Sequence, residues 1–227
     1  MNFVQDFMAM IFPECCLACN DGLAKNEHLV CLSCQLAMPH THFHLDEKNP
    51  LAQRFWGKVP LSHASAFYKF TKQSRVQSLL HQLKYRNQPE IGRLLAYWYG
   101  QELLNTGFQQ KFDLIIPVPL HPAKLRKRGY NQADSIALGL SDALDIPWAG
   151  SVVRRITNTD TQTRKQRLER FENVKGVFAV ADTSLLRQQR VLLVDDVITT
   201  GATLEVCASL LLECGCSEVG VASIAVA

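Results

Sequence analysis

A chain of 227 residues that is 47% hydrophobic, 20% charged and 8% aromatic can bury a full core, and it lacks the compositional bias that marks disorder. Its net charge is only +3, so overall charge gives no ground for a nucleic-acid partner. No apolar run approaches the roughly 20 residues that a membrane-spanning helix needs, which argues against membrane insertion.

The opening MNFVQDFMAMIF has no basic flank and carries Asp6, which makes it a poor secretory signal. Phe3, Val4, Phe7, Met8, Ile11 and Phe12 fall at helical spacing and predict a short amphipathic helix. A cytoplasmic protein is expected, and structural disulfides are rare in that compartment. The eight cysteines therefore need another use.

Five of them lie between positions 15 and 34. Cys16 and Cys19 form one C-x2-C pair, Cys31 and Cys34 a second, with eleven residues between the pairs. Four thiolates from two such turns match tetrahedral zinc, and buried free thiols would need no paired spacing. Cys15 could compete for the first position, although Cys16 fits the pair better. Residues 1–60 are thus expected to form a small N-terminal four-cysteine zinc module and a connector, and 61–227 the main domain. Residues 40–60 show no clear periodicity, with Pro50 and Pro60 as breakers, and His40, His42 and His44 read as ordinary loop residues.

Beyond the connector, residues 64–70 predict a strand, and 73–84 and 89–105 predict helices with Val76, Leu79, Leu80 and Leu83 on one face. The run 112–119 (FDLIIPVP) is a buried strand candidate and 131–144 a helix. Residues 177–181, 190–194 and 219–226 are strands of the fully buried type, and 203–214 is a helix presenting Leu204, Cys207, Leu210 and Leu211. Buried strands alternating with amphipathic helices predict an α/β fold with a mainly parallel sheet flanked by helices. Ligands of such sheets bind at the carboxyl ends of the strands.

The strand at 190–194 runs into Asp195-Asp196, then Val197-Ile198, then Thr199-Thr200-Gly201-Ala202-Thr203 at a helix start. Two adjacent carboxylates with no base nearby in sequence need hydrogen-bond partners, which ribose hydroxyls or a hydrated magnesium ion would supply. The following loop suits a phosphate: N–H groups at a helix start, a turn eased by Gly201, and three threonine hydroxyls. A second loop, after 112–118, runs Pro119-Leu120-His121-Pro122, and four of the five residues from Lys124 to Arg128 are basic. Such a cluster would stabilise a departing pyrophosphate, or be a solvated helix start. Residues 154–173 contain no strand pattern and six basic residues: Arg154, Arg155, Arg164, Lys165, Arg167 and Arg170. They read equally as a closing hood or a surface helix.

The run 191–203 (VLLVDDVITTGAT) closely resembles the phosphoribosyl pyrophosphate (PRPP) signature of type I phosphoribosyltransferases. That resemblance implies the fold of those enzymes. It also implies that Asp195 and Asp196 are the catalytic pair on the ribose 2- and 3-hydroxyls, with Thr199, Thr200, Gly201, Ala202 and Thr203 on the 5-phosphate. Purine-salvage members often carry an Asp at the first loop position; here it is Thr199, so a carboxylate base for a purine is missing there. The order LKYRNQPEIGRLLA (83–96), PVPLHPAKLRKRGYNQA (117–133) and VLLVDDVITTGAT is more specific, and resembles the ComF family (competence protein F, GntX-like) from about residue 16 onward. Leu120, His121, Lys124 and Arg128 are then the expected pyrophosphate loop, with Mg2+ entering alongside PRPP. Many members resemble the cysteine pattern with further C-x2-C pairs downstream, absent here, so one zinc is expected rather than two. Membership implies a link to DNA uptake, with single-stranded DNA and other competence proteins as partners. Three functions stay open: phosphoribosyl transfer to an unknown acceptor, PRPP sensing without catalysis, and single-stranded DNA handling. Tyr130 is the lone aromatic near the basic loop, which is thin for a base-stacking platform.

Overall fold

The computed structural model describes residues 14–156 and 177–227. The predicted N-terminal helix, and Arg164, Lys165, Arg167 and Arg170 of the proposed hood, lie outside them. Four strands form one fully parallel sheet: β1 (His63–Lys69), β2 (Leu114–Pro117), β5 (Arg190–Ile198) and β6 (Glu218–Val226), in the order β1-β6-β5-β2. The expectation of a parallel α/β sheet is met. Side chains alternate across β5, so Leu192 and Val194 enter one core layer while Val191 and Leu193 enter the other.

The first layer contains α3 (Arg75–Tyr85), α4 (Pro89–Leu104) and α6 (Gln132–Leu144). Ser74 caps α3 by accepting from the Gln77 N–H at 3.1 Å, and Val76, Leu79, Leu80 and Leu83 are all buried, as their spacing predicts. Helices α4 and α6 lie so close that a Cβ at Gly139 would stand 2.2 Å from the Arg93 carbonyl oxygen. The second layer contains α7 (Ala202–Glu213), which buries Leu204, Cys207, Leu210 and Leu211.

Three elements differ from expectation. The stretch at 177–181 gives β4 (Phe178–Val180), which pairs antiparallel with β3 (Val153–Arg155) as a separate ribbon instead of joining the main sheet. Arg154 and Arg155, read as part of a strandless segment, therefore sit in a strand. The connector is also ordered. It holds a 3-10 turn at Phe43–Leu45 and the short helix α2 (Pro50–Gln53), both secured by buried Asn49. The Asn49 side-chain amide donates to the carbonyls of Phe43, Asp46 and Ala64, and its oxygen accepts from the N–H groups of Leu51 and Ala52. Finally, the basic run after β2 forms α5 (Pro122–Arg128).

The cysteine turns and α1 (Leu32–Ala37) pack against the first layer: Cys16, Val30, Cys31, Cys34 and Met38 belong to the same buried cluster as α3 and α4. The Ser78 hydroxyl of α3 donates to the Leu17 carbonyl at 3.3 Å. Among the described residues, no helix is long and apolar enough to cross a membrane.

Candidate functional site

Strand β5 outlasts its neighbour on one side. Pairing with β2 stops at Pro117↔Val194, whereas pairing with β6 continues to Ile198↔Val226. Asp195 and Asp196 therefore lie inside β5, just where its β2 side opens, and not beyond a strand end as the sequence suggested. The space left by β2 is a cavity of about 110 Å3 lined by Leu120, Asn131, Gln132, Arg155, Asp195, Asp196 and Thr203, among others. Asn131 shapes the wall by donating to the Val118 carbonyl at 3.1 Å and to Asp134 Oδ1 at 2.8 Å.

The acidic pair is not free of bases in space. Lys84, at the end of α3, places Nζ 2.9 Å from Asp196 Oδ1. Arg155 adds a second cation to the cavity wall, its guanidinium 5.3 Å from the centre of the Phe178 ring. Burial, and then the charge of Asp196, push the Asp195 carboxyl up to about 7, against the opposing pull of the Asp196 N–H and Lys84. That N–H donates to Asp195 Oδ1 at 2.8 Å. Lys84 lies in the LKY string, where nothing in the sequence marks a role for it, since its aim depends on how α3 packs against β5.

A second, smaller cavity of about 40 Å3 follows, lined by Asp195 and the run from Val197 to Leu204. Thr203 faces both cavities. Gly201 precedes α7 with φ of +82° and has no side chain to cap it; the Ala202 N–H reaches only the Thr200 hydroxyl, at 3.4 Å, which leaves the N-terminal end of the helix facing the smaller cavity. A Cβ at Gly201 would stand 2.8 Å from the Phe55 ring, so glycine is required both by the backbone and by this contact. The loop is braced from the connector: the Arg54 guanidinium donates to the carbonyls of Thr199 at 2.7 Å and Ala227 at 2.9 Å. Sequence reasoning misses Arg54 and Phe55, because no periodicity marks them.

The second predicted loop is only partly gathered in. Leu120 lines the larger cavity, whereas His121, Lys124 and Arg128 line neither. His121 caps α5, its Nδ1 accepting from the Ala123 N–H at 3.2 Å. Arg128 donates to Gln132 at 2.5 Å and lies 5.2 Å from the centre of the Tyr85 ring, while Lys124 is exposed.

The four predicted cysteine ligands do converge. The sulfurs of Cys16, Cys19, Cys31 and Cys34 all lie within 4.8 Å of one another, and Cys15 is outside the group. Cys19 and Cys31 are 3.8 Å apart, close to the roughly 3.8 Å expected between ligands bound at 2.3 Å in a tetrahedron. Burial disfavours a charged Cys16, yet N–H groups from Cys31, Cys19 and Ala18 outweigh it and bring the thiol down to about 7. The cluster can hold a metal ion. Cys207, Cys214 and Cys216 are buried in the core, as expected.

Fold and site together define a protein of the type I phosphoribosyltransferase fold. Residues 81–226 match the phosphoribosyl transferase domain family. Competence protein F of Haemophilus influenzae is 39% identical over 147 residues, covering 63% of this chain and 64% of that one. DNA utilization protein YhgH of Shigella flexneri is 30% identical over 225 residues, 92% of this chain and 95% of that one. Competence protein ComFC of Bacillus subtilis is 28% identical over 146 residues, 64% of this chain and 57% of that one. The matched stretch thus spans less than two thirds of the Haemophilus and Bacillus proteins. Glutamine PRPP amidotransferase from B. subtilis overlays with a TM-score of 0.42 at 20% identity, over 63% of this chain and 30% of that one; the assignment rests on the sequence matches. The chain belongs to the phosphoribosyl transferase domain family, as a ComF-family phosphoribosyltransferase-like protein.

Proposed function

We propose that the protein binds PRPP at the open side of β5 and transfers its phosphoribosyl group to an acceptor. The observation that carries this reading is the meeting of Asp195, Asp196 and Thr203 in one cavity with Arg155, backed by Lys84. Asp195 and Asp196 accept from two ribose hydroxyls, which compete with Lys84 for Asp196. Thr199, Thr200 and Thr203 and the uncapped N–H groups of α7 receive the 5-phosphate, with Gly201 and Ala202 holding the backbone close. Pyrophosphate lies toward Leu120, where Arg155 opposes its growing charge, with His121, Lys124 and Arg128 of the neighbouring loop and α5 acting on it from outside the cavity.

In the reaction, the C1–O bond breaks with its electron pair leaving on pyrophosphate, through an oxocarbenium-like state. An acceptor lone pair forms the new bond to C1, and the acceptor's proton passes to solvent. Mg2+ entering with PRPP would supply charge neutralisation, and the oxygen donors of this site fit such a hard cation. Thr199 leaves the first loop position without a carboxylate base, which points away from a purine acceptor. In the same reading, zinc on Cys16, Cys19, Cys31 and Cys34 holds an N-terminal module (1–60) beside the transferase domain (61–227), and the protein works in the cytoplasm.

The relatives' names, "competence" and "DNA utilization", favour a second reading in which the protein binds PRPP as a signal or handles single-stranded DNA during uptake. Calorimetry with Mg2+ and PRPP, followed by pyrophosphate release over nucleobases and nucleic acids, separates the two. Each carboxylate hydrogen bond is worth roughly 1.5–3 kcal/mol, so Asp195→Ala with Asp196→Ala should cost at least about a hundredfold in PRPP affinity. Unchanged or tighter binding in a folded double variant would refute the site. Binding without release on any acceptor would leave only the second reading.

A further inference from the structure

The sequence reads the connector histidines as ordinary loop residues, but the fold brings two of them beside a carboxylate. Residues 39–41 run along the free edge of β1, with the Thr41 N–H donating to the Phe67 carbonyl at 2.9 Å and the Lys69 N–H to the Pro39 carbonyl at 2.8 Å. In an extended run, side chains two apart share a side. The rings of His40 and His42 accordingly stack at 5.5 Å with 17° between their planes. The left-handed backbone of His42, with φ of 55°, then turns the chain into the following 3-10 turn. Opposite stands Glu102 of α4, sixty residues further along the sequence.

Ligand atoms of His40, His42 and Glu102 all lie within 4.8 Å of one another. His40 Nδ1 and Glu102 Oε1 are 2.8 Å apart, yet that buried nitrogen makes no hydrogen bond among the described residues. The two atoms form a close imidazole–carboxylate contact, and with a His42 nitrogen also within reach an ion could take the place of a proton between them. Ligands bound at about 2.1 Å stand roughly 3.0–3.4 Å apart at angles of 90–109°, so an ion would need them to part by only a few tenths of an ångström. The buried hydroxyl of Tyr68, whose ring packs on His40 at 4.9 Å, likewise lacks a partner among the described residues; a metal-bound water could supply one.

We propose that His40, His42 and Glu102 form a second metal site, for a divalent first-row transition ion of the zinc class. Two imidazoles and a carboxylate suit such borderline ions, whereas the four-thiolate cluster is softer and closed. His42 is exposed, so the remaining positions fall to water and the ion exchanges with solution. Bound there, it ties the connector to α4 across sixty residues of chain.

The test uses the full chain with its cysteine cluster loaded, dialysed against Zn2+ and, separately, against Co2+. Elemental analysis should find one equivalent beyond that of the cysteines, and the added Co2+ should show no thiolate-to-cobalt absorption. Losing an outer-sphere partner of a metal ligand costs roughly 10–100-fold in affinity, so His42→Ala and Glu102→Gln should each exceed that range. His42 is exposed and Gln keeps the shape of Glu, so unchanged melting of the ion-free variants verifies the fold. Survival of the extra equivalent in either variant, or its absence from the wild type, overturns the proposal.

Discussion

The cysteine cluster and the β5–α7 turn are built in opposite ways. All four sulfurs come from residues 16–34, and two short turns bring them together. The turn after β5 is equally continuous in sequence, but the groups that tune it come from elsewhere: Lys84 from α3, Arg155 from β3, and Arg54 and Phe55 from the connector. The first arrangement draws all four of its candidate ligands from one short stretch of sequence. The second gathers two adjacent carboxylates and draws its cations and braces from distant elements.

Disrupting the self-contained region should have the largest effect. Structural zinc contributes roughly 10–16 kcal/mol to folding in isolated finger peptides. Cys16→Ser or a strong chelator should therefore strip the metal and lower the melting temperature steeply, because the cluster shares its core with α3 and α4. A chelated wild type that melts unchanged, as followed by calorimetry, would break the comparison at its first term.

Gly201→Ala tests the borrowed brace. Its φ of +82° and the Phe55 ring at 2.8 Å together predict a loss of about 1–3 kcal/mol in stability. Affinity for PRPP should fall as well. Relief by Phe55→Leu in the double variant would show that the contact, rather than the backbone angle, carries most of the cost.

Asp195→Asn should act in the other direction. The Asp195 carboxyl keeps its proton up to about 7 in the folded chain, against an ordinary 3.8. Its contribution to stability is then fully present below about pH 4 and is lost as pH rises through about 7. Asparagine carries no such penalty, so the variant should melt above the wild type at pH 8, and the difference should shrink toward pH 4. PRPP binding should rise with pH through about 7 more steeply in the wild type than in the variant. A variant no more stable than the wild type at pH 8 would show that the acidic pair carries no strain.

The smallest effect is expected at Lys124, which is exposed and lines neither cavity. Lys124→Ala should leave stability unchanged and weaken PRPP or single-stranded DNA by less than about 1 kcal/mol, a difference that disappears as salt is raised. A large, salt-independent loss would move α5 into the site.

Most of the sheet and its helices was legible because burial stamps a period on sequence: Val76, Leu79, Leu80 and Leu83 announce the inner face of α3. The connector was not, since its order depends on one side chain, Asn49, making five hydrogen bonds rather than on any repeat. The apolar run at 177–181 revealed a strand but not its partner, because three residues pair as readily with a hairpin neighbour as with a sheet. Asp195 and Asp196 were singled out by the sequence and share one cavity, and Arg155 was already counted among the basic residues of a candidate hood; the aim of Lys84 was not legible, because it depends on where α3 ends in space.

The close approach of α4 and α6 has a mechanical consequence. Cβ atoms at Gly92 and Gly100 would crowd Ser135 and Ala143 just as one at Gly139 crowds Arg93, and Arg93 also pairs with Asp142 at 2.6 Å. Contacts eight residues apart along α4 span about 12 Å of its axis, which fixes the two helices against rocking. One end of this stiff beam carries Gln132 and Ala133 in the cavity wall, and α4 carries Glu102. Glu102 and the wall facing Asp195 thus belong to one closely packed helix pair.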